Sequence, residues 1–234
     1  MFEEMEPKKN VTKMQLTVTL ILILFFSITS ATYAYFAISA TNNNTITGSA
    51  ATVNLTLSVN KIFPTSSSTN TGVMVPQLSV SGSSTSPLAN ALKGGCVDNN
   101  ANVVCQVYKI TIQNVGGTAT QVVDGKVFFY GNSAMTTDVH TTMPNLKWKL
   151  ITSVDTTTPT NSVLGTNEDQ EANSSDNKFV SSLTLATNDT FDYYMIVWIN
   201  ETNTNQTSEP GKTFYGKIQF DSSNGTGVTS TFTL

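Results

Sequence analysis

What most constrains this chain is a two-residue rhythm of apolar side chains that returns again and again, while helical periodicity is almost missing. Val53, Leu55, Leu57 and Val59 alternate with Asn54, Thr56 and Ser58. Tyr108, Ile110 and Ile112 alternate with Lys109, Thr111 and Gln113, and Leu146, Trp148 and Leu150 with Lys147 and Lys149. The pattern recurs at Phe214, Gly216, Ile218 and Phe220, and at Val228, Ser230, Phe232 and Leu234. Successive side chains of a strand point to opposite faces, so such runs make strands with one face in a core and one in water. Two further runs are apolar on both faces. Gln121–Tyr130 carries Val127, Phe128 and Phe129 and is expected to be central or covered; Phe191–Asn200 (FDYYMIVWIN) is expected in the middle of the core. Phe179–Leu185 reads as a modest strand.

Turn residues such as Asn114–Gly117 separate these runs. The expected fold is all-β: an antiparallel β-sandwich of jelly-roll or immunoglobulin-like type, preceded by an N-terminal hydrophobic signal or transmembrane helix. One short helix is expected at Pro87–Lys93, opening on its proline. The Ser/Thr/Gly-rich stretch 63–86 reads as a surface loop with a weak strand at Val73–Val80, and Thr156–Asp176 as a long polar loop. No fixed period repeats along the chain, which points to one sandwich domain over 51–234 rather than an array.

The N-terminus is of another kind. Lys8, Lys9 and Lys13 precede the apolar run Met14–Phe26, and Ser27–Ala34 then turns small and polar. That three-part layout is a secretory leader over residues 1–34, cut between Ala34 and Tyr35. The competing reading is an uncut anchor, since Met14–Phe36, about 23 residues, is long enough to span a bilayer. Behind the cut, Phe36, Ile38 and Ala40 alternate with Tyr35, Ala37 and Ser39, a short two-faced strand that Asn42–Asn44 interrupt.

Composition narrows function. Charged residues make up only 12% of the chain, Arg is absent, and nine lysines face thirteen acids beyond the leader. Phosphate and guanine recognition lean on Arg, so a nucleic-acid partner is not expected, and membrane contact is expected only through the leader. The two cysteines, Cys96 and Cys105, close a loop of about ten residues, and an exported chain favours their disulfide. A redox or metal pair is the lesser alternative, because the spacing is not CxxC and no His stands near. His140 is the lone histidine, which excludes an HExxH zinc site, and no GxSxG elbow is present. Glu168, Asp169, Glu171 and Asp176 form an acidic stretch that reads as a solvated loop before it reads as a Ca²⁺ site. Tyr193, Tyr194, Trp198, Phe214 and Tyr215 read as core aromatics before they read as a sugar-stacking face. Asn54, Asn188, Asn200 and Asn224 head Asn-x-Thr triplets, which matter only where the host glycosylates Asn. No enzyme activity, cofactor or metal is expected.

The stretch ATYAYFAISATNNNTITGSAATVNLTL resembles the TasA/camelysin family of secreted bacterial proteins. The likeness rests on Ala34, Tyr35 and Phe36, the Asn42–Asn44 joint, Gly48 and Val53–Leu57, and less specifically on YKITIQNVGG at Tyr108–Gly117. It implies a leader removed by a dedicated signal peptidase and a jelly-roll domain that polymerises into biofilm-matrix or surface fibres, with each free N-terminal strand inserted into the next subunit. The metallopeptidase label that some members carry is not implied, because this chain lacks a zinc constellation. It departs from the family pattern in Glu3, Glu4 and Glu6 ahead of the leader lysines, in Cys96 and Cys105, and in Thr32 before the cut. The residues agree with such assembly on their own terms. Cleavage leaves a loose strand whose backbone lacks a local hairpin partner, and an open sheet edge elsewhere lacks one too. Phe36, Ile38 and Ala40 would be the plug, within a donor segment over 35–50. The expected partner is the chain itself as a homopolymer, with a related minor subunit as a further candidate. A monomeric adhesin or glycan-binding module is the alternative.

Overall fold

The computed structural model describes residues 45–50, 53–65, 74–79, 85–115, 120–165, 168–202, 204–206, 209, 211–223 and 227–234. The leader, the cut at Ala34 and Tyr35, and the plug residues Phe36, Ile38 and Ala40 lie outside the described residues.

Among the described residues, ten strands form two antiparallel sheets. They are β1 (Thr45–Ala50), β2 (Val53–Phe63), β3 (Gln106–Asn114), β4 (Gln121–Tyr130), β5 (Leu146–Ile151), β6 (Gln170–Glu171), β7 (Asn177–Leu185), β8 (Thr190–Ile199), β9 (Tyr215–Ser222) and β10 (Gly227–Thr233). One sheet runs β1-β2-β3-β8-β5-β6, the other β10-β9-β4-β7. The first long pair, β2 and β3, are neighbours, β3 lies beside β8, and β4-β9-β10 lie together. This is the immunoglobulin-like order of the two expected: β2-β3-β8-β5 facing β4-β9-β10 follows the ABED and CFG sheets of that fold.

The alternations fall where the sandwich needs them. Leu55, Leu57 and Val59 of β2, Tyr108, Ile110 and Ile112 of β3, Val127 and Phe129 of β4, Leu146 and Trp148 of β5, and Ile218 and Phe220 of β9 all point into one buried core between the sheets. Phe129, Phe214 and Phe232 close its centre as a ring cluster, with centroids 5.9–6.1 Å apart and edge-on tilts. Each such pair adds about 0.5–1.5 kcal/mol beyond the area it buries. Gly216 is required here, because a Cβ at that position would run into the Phe232 ring. The two both-face-apolar runs have different causes. β4 is central, between β9 and β7, and its outer face is only half covered, with the Lys217 ammonium 4.2 Å from the Phe128 ring centre. β8 is central, and its second half is covered on both faces. Met195, Val197 and Ile199 face the sandwich core, while Ile196 and Trp198 lie in a second core outside the six-stranded sheet.

That second core is roofed by helix α1 (Pro87–Lys93) and the disulfide loop. The Ser86 hydroxyl caps α1 by accepting the Ala89 N–H at 3.1 Å, Pro87 occupies the first turn, and Leu88, Ala89, Ala91 and Leu92 are buried against the sheet. Cys96 and Cys105 are bonded, with Cα atoms 4.9 Å apart, and tie the end of α1 to the start of β3. The long connection between β2 and β3 thus has a packing role. Of the weak strand expected at Val73–Val80, two single bridges are present, Met74 to Val103 and Gln77 to Asn200. Within the polar stretch Thr156–Asp176, a 3₁₀ turn (Pro159–Asn161) and β6 interrupt the loop.

Candidate assembly surface

The residues that could carry chemistry are dispersed. His140 is exposed in the 3₁₀ turn Val139–Thr141, and its backbone N–H donates to Asp138 Oδ1 at 2.7 Å. Asp138 also accepts the Ser174 N–H at 2.9 Å and hydroxyl at 2.6 Å. Partial burial pushes its pKa up, but these bonds outweigh that and hold the carboxyl below the usual range. Asp138 therefore fastens two loops together. The acidic stretch is drawn apart by lysines: Asp169 pairs with Lys149 at 3.0 Å, Asp176 with Lys126 at 3.0 Å, and Glu171 with Lys147. Among the described residues no group of three or more acids, His or Cys could hold a metal ion. The five aromatics occupy different faces. Phe214 is in the sandwich core with Tyr193 packed against it, Trp198 is in the second core with Tyr194 at its margin, and half-exposed Tyr215 is in β9. They do not form a common stacking platform.

What remains is the margins of the sheets. β6 is two residues long and carries the Glu171–Lys147 ion pair, a blunted edge of the kind that resists edge-to-edge pairing. β7, at the edge of the other sheet, pairs irregularly with β4 on both sides of Gly125, and its Ser182 has φ +53°. Asp124 accepts the Lys178 ammonium and the Ser182 N–H, each at 2.8 Å, and both hold its carboxyl below the usual range. The bulged edge turns Phe179, Val180 and Leu183 toward the core without burying them fully.

The edges of the six-stranded sheet are uneven. β1 pairs with β2 from Thr45–Ser58 to Ala50–Val53, so it flanks only the first part of β2. Thr45–Ala50, which the sequence places in the donor segment 35–50, thus pairs with its own chain. At the far side, β5 pairs with β8 only from Ile151–Tyr194 to Leu146–Ile199, whereas β3 pairs with β8 from Thr190 onward. Thr190–Tyr193 therefore have a strand on the β3 side and none on the β5 side among the described residues. In the seam between this stretch and β7, Phe191 is 38% exposed and Tyr193 is half-buried. The Tyr193 ring lies 5.6 Å from Phe179, which lies 5.6 Å from Phe220. On the outward face, Asp192 accepts the Thr111 hydroxyl at 2.6 Å and pairs with Lys109 at 2.9 Å. Partial burial raises its pKa, and these two contacts more than reverse the effect. The flank is thus a notch with an apolar mouth and an ion-paired outer rim. The sequence places FDYYMIVWIN at the core's centre and misses that its first third is the open part. Only the length of β5 reveals the notch, and no residue pattern sets that length.

Among the described residues no helix is long and apolar enough to cross a membrane. No protein-family model matches the chain, and no curated protein does. Among solved structures, the sporulation control protein Spo0M from Bacillus subtilis aligns with 76% of this chain at 7% identity and a TM-score of 0.28. This chain covers 48% of that protein's length, and likeness at this level carries no argument.

Proposed function

We propose that this chain is an exported, non-catalytic structural subunit that joins head to tail into extracellular fibres through its N-terminal strand. The observation that carries the reading is the place where the described chain enters the sandwich. β1, described from Thr45, is an outer edge of the six-stranded sheet. The core between the sheets is already filled by described strands. On this reading the segment ahead of β1, whose sequence alternates Phe36, Ile38 and Ala40 with Tyr35, Ala37 and Ser39, pairs with a different molecule. Donor and acceptor surfaces differ, so the contact repeats without closing and yields a filament. Export by a signal peptidase acting after Ala34 frees that segment. The second core and the disulfide suit such a subunit, because they stiffen the outer face of a sheet that must bear load outside the cell.

The test is to collect the exported full-length product, read its first residue, and compare its polymers with those from a chain lacking Tyr35–Thr41. The expected results are Tyr35 at the N-terminus and polymers that vanish on deletion. Leader-bearing monomers, or polymers indifferent to the deletion, overturn the reading.

A further inference from the structure

We infer that the acceptor for the donor strand is the notch beside Thr190–Tyr193, and that its occupant is Phe36–Ala40 of a second copy of this chain. The inference rests on the proposed head-to-tail reading and adds the site and the molecule that fills it.

Three observations meet there. The first is backbone. β5 stops opposite Tyr194, so the next four residues of β8 present a strand edge with no strand on it among the described residues. A guest strand beside Thr190–Tyr193 would continue the sheet past the end of β5. The second is side-chain chemistry. The inward positions at the notch are Phe191, 38% exposed, and Tyr193, half-buried with its ring 5.6 Å from Phe179 of β7. A guest with large apolar groups at every second residue fills that mouth, and Phe36, Ile38 and Ala40 provide this spacing. Its other side, Tyr35, Ala37 and Ser39, is uncharged and faces outward beside the Lys109–Asp192 pair, leaving that pair undisturbed.

The third is reach. The notch lies beyond β8, four strand positions from β1. Neighbouring strands are about 4.8 Å apart, which puts the notch about 19 Å from β1 in a straight line through the sheet. Five residue steps from Ala40 to Thr45 span at most about 18 Å fully extended. The real path has to go round the sheet and is longer. Seating Ala40 in its own chain's notch would take that whole span fully extended, so a strand docked as far as Ala40 is assigned to another molecule.

Two variants of the full-length exported chain test this. Phe191→Lys puts a charge at a partly exposed rim position, where the free subunit can solvate it and a docked strand cannot. The polymer fraction is expected to fall by about tenfold or more, the effect of a desolvation cost above about 1.4 kcal/mol. Val122→Lys, at another exposed apolar position, on β4, is expected to leave polymers intact. Independently of any effect on folding, Phe191→Cys is combined in turn with Phe36→Cys, Ile38→Cys and Ala40→Cys and oxidised. At least one pairing is expected to give a ladder of covalent multimers on a non-reducing gel. Monomers closed on themselves overturn the second-copy assignment. Polymers that persist with no cross-link in any pairing, or that tolerate Phe191→Lys, overturn the notch and leave head-to-tail assembly standing. Polymers that survive loss of Tyr35–Thr41 overturn both.

Discussion

Lys149 shows how far a single residue can depart from its pattern. In NLKWKLI it alternates outward with Lys147, as a solvated lysine should. In the structure its side chain is 1% exposed, because the sheet's outer face here is covered where Ile151 and Leu164 join the second core. Asp169, at 3.0 Å, compensates the buried charge. Removing one partner of such a pair costs far more than removing the charge altogether. Asp169→Ala is therefore expected to lower stability by about 3 kcal/mol in denaturant unfolding, whereas replacing both partners, Lys149→Met with Asp169→Ala, is expected to be close to neutral. Equal losses would contradict this account. Asp155 acts at the surface. It accepts the Thr157 and Thr158 N–H groups at 2.9 and 2.8 Å, the Thr157 hydroxyl at 2.7 Å and the Asn161 amide at 3.3 Å. These bonds, that of the Thr158 N–H foremost, lower its pKa from 3.8 to about 2. A depressed carboxyl stabilises the fold above its unfolded pKa and stops doing so as pH falls through its folded one. Its contribution should thus be complete above about pH 4 and lost toward pH 2. Carboxylate titration by NMR should place the midpoint near 2, and a midpoint near 4 would show that the turn is not closed this way.

At the scale of elements, reduction of the Cys96–Cys105 bridge is the informative perturbation. The bridge closes a loop of about ten residues, so breaking it is expected to cost about 2–3 kcal/mol. Because it joins α1 to β3, the loss should appear first as hydrogen exchange in 87–105, with β4, β9 and β10 protected for longer. Uniform loss of protection would mean that the second core is not a separate layer. The elements also show what the sequence could disclose. α1 was legible to the residue, since Ser86, Pro87 and Gly94 mark its ends by local chemistry. β2, β3, β5, β9 and β10 were legible from alternation, and β4 and β8 from runs apolar on both faces. β1 was not: TITGSA has one large apolar residue and no two-residue rhythm, and it is a strand because β2 lies beside it. β6 is set by the Lys147–Glu171 and Trp148–Gln170 register alone. The notch was illegible for a similar reason. It is the absence of a neighbour, a property of how far β5 extends and not of the residues in β8.

At the scale of the whole molecule, the sandwich is a module with a filled interior and unequal flanks. β1 covers one part of its sheet's first margin, and β5 leaves part of the other uncovered. In the proposed assembly, a guest strand at the uncovered flank, drawn from a neighbour's N-terminal segment, would give every subunit one donor and one acceptor. The decisive measurement is electron microscopy of the exported full-length chain beside the same chain lacking Tyr35–Thr41, at equal concentration. Filaments from the first and dispersed single subunits from the second are the predicted pair of images. Filaments of the same width and repeat from both would contradict the account.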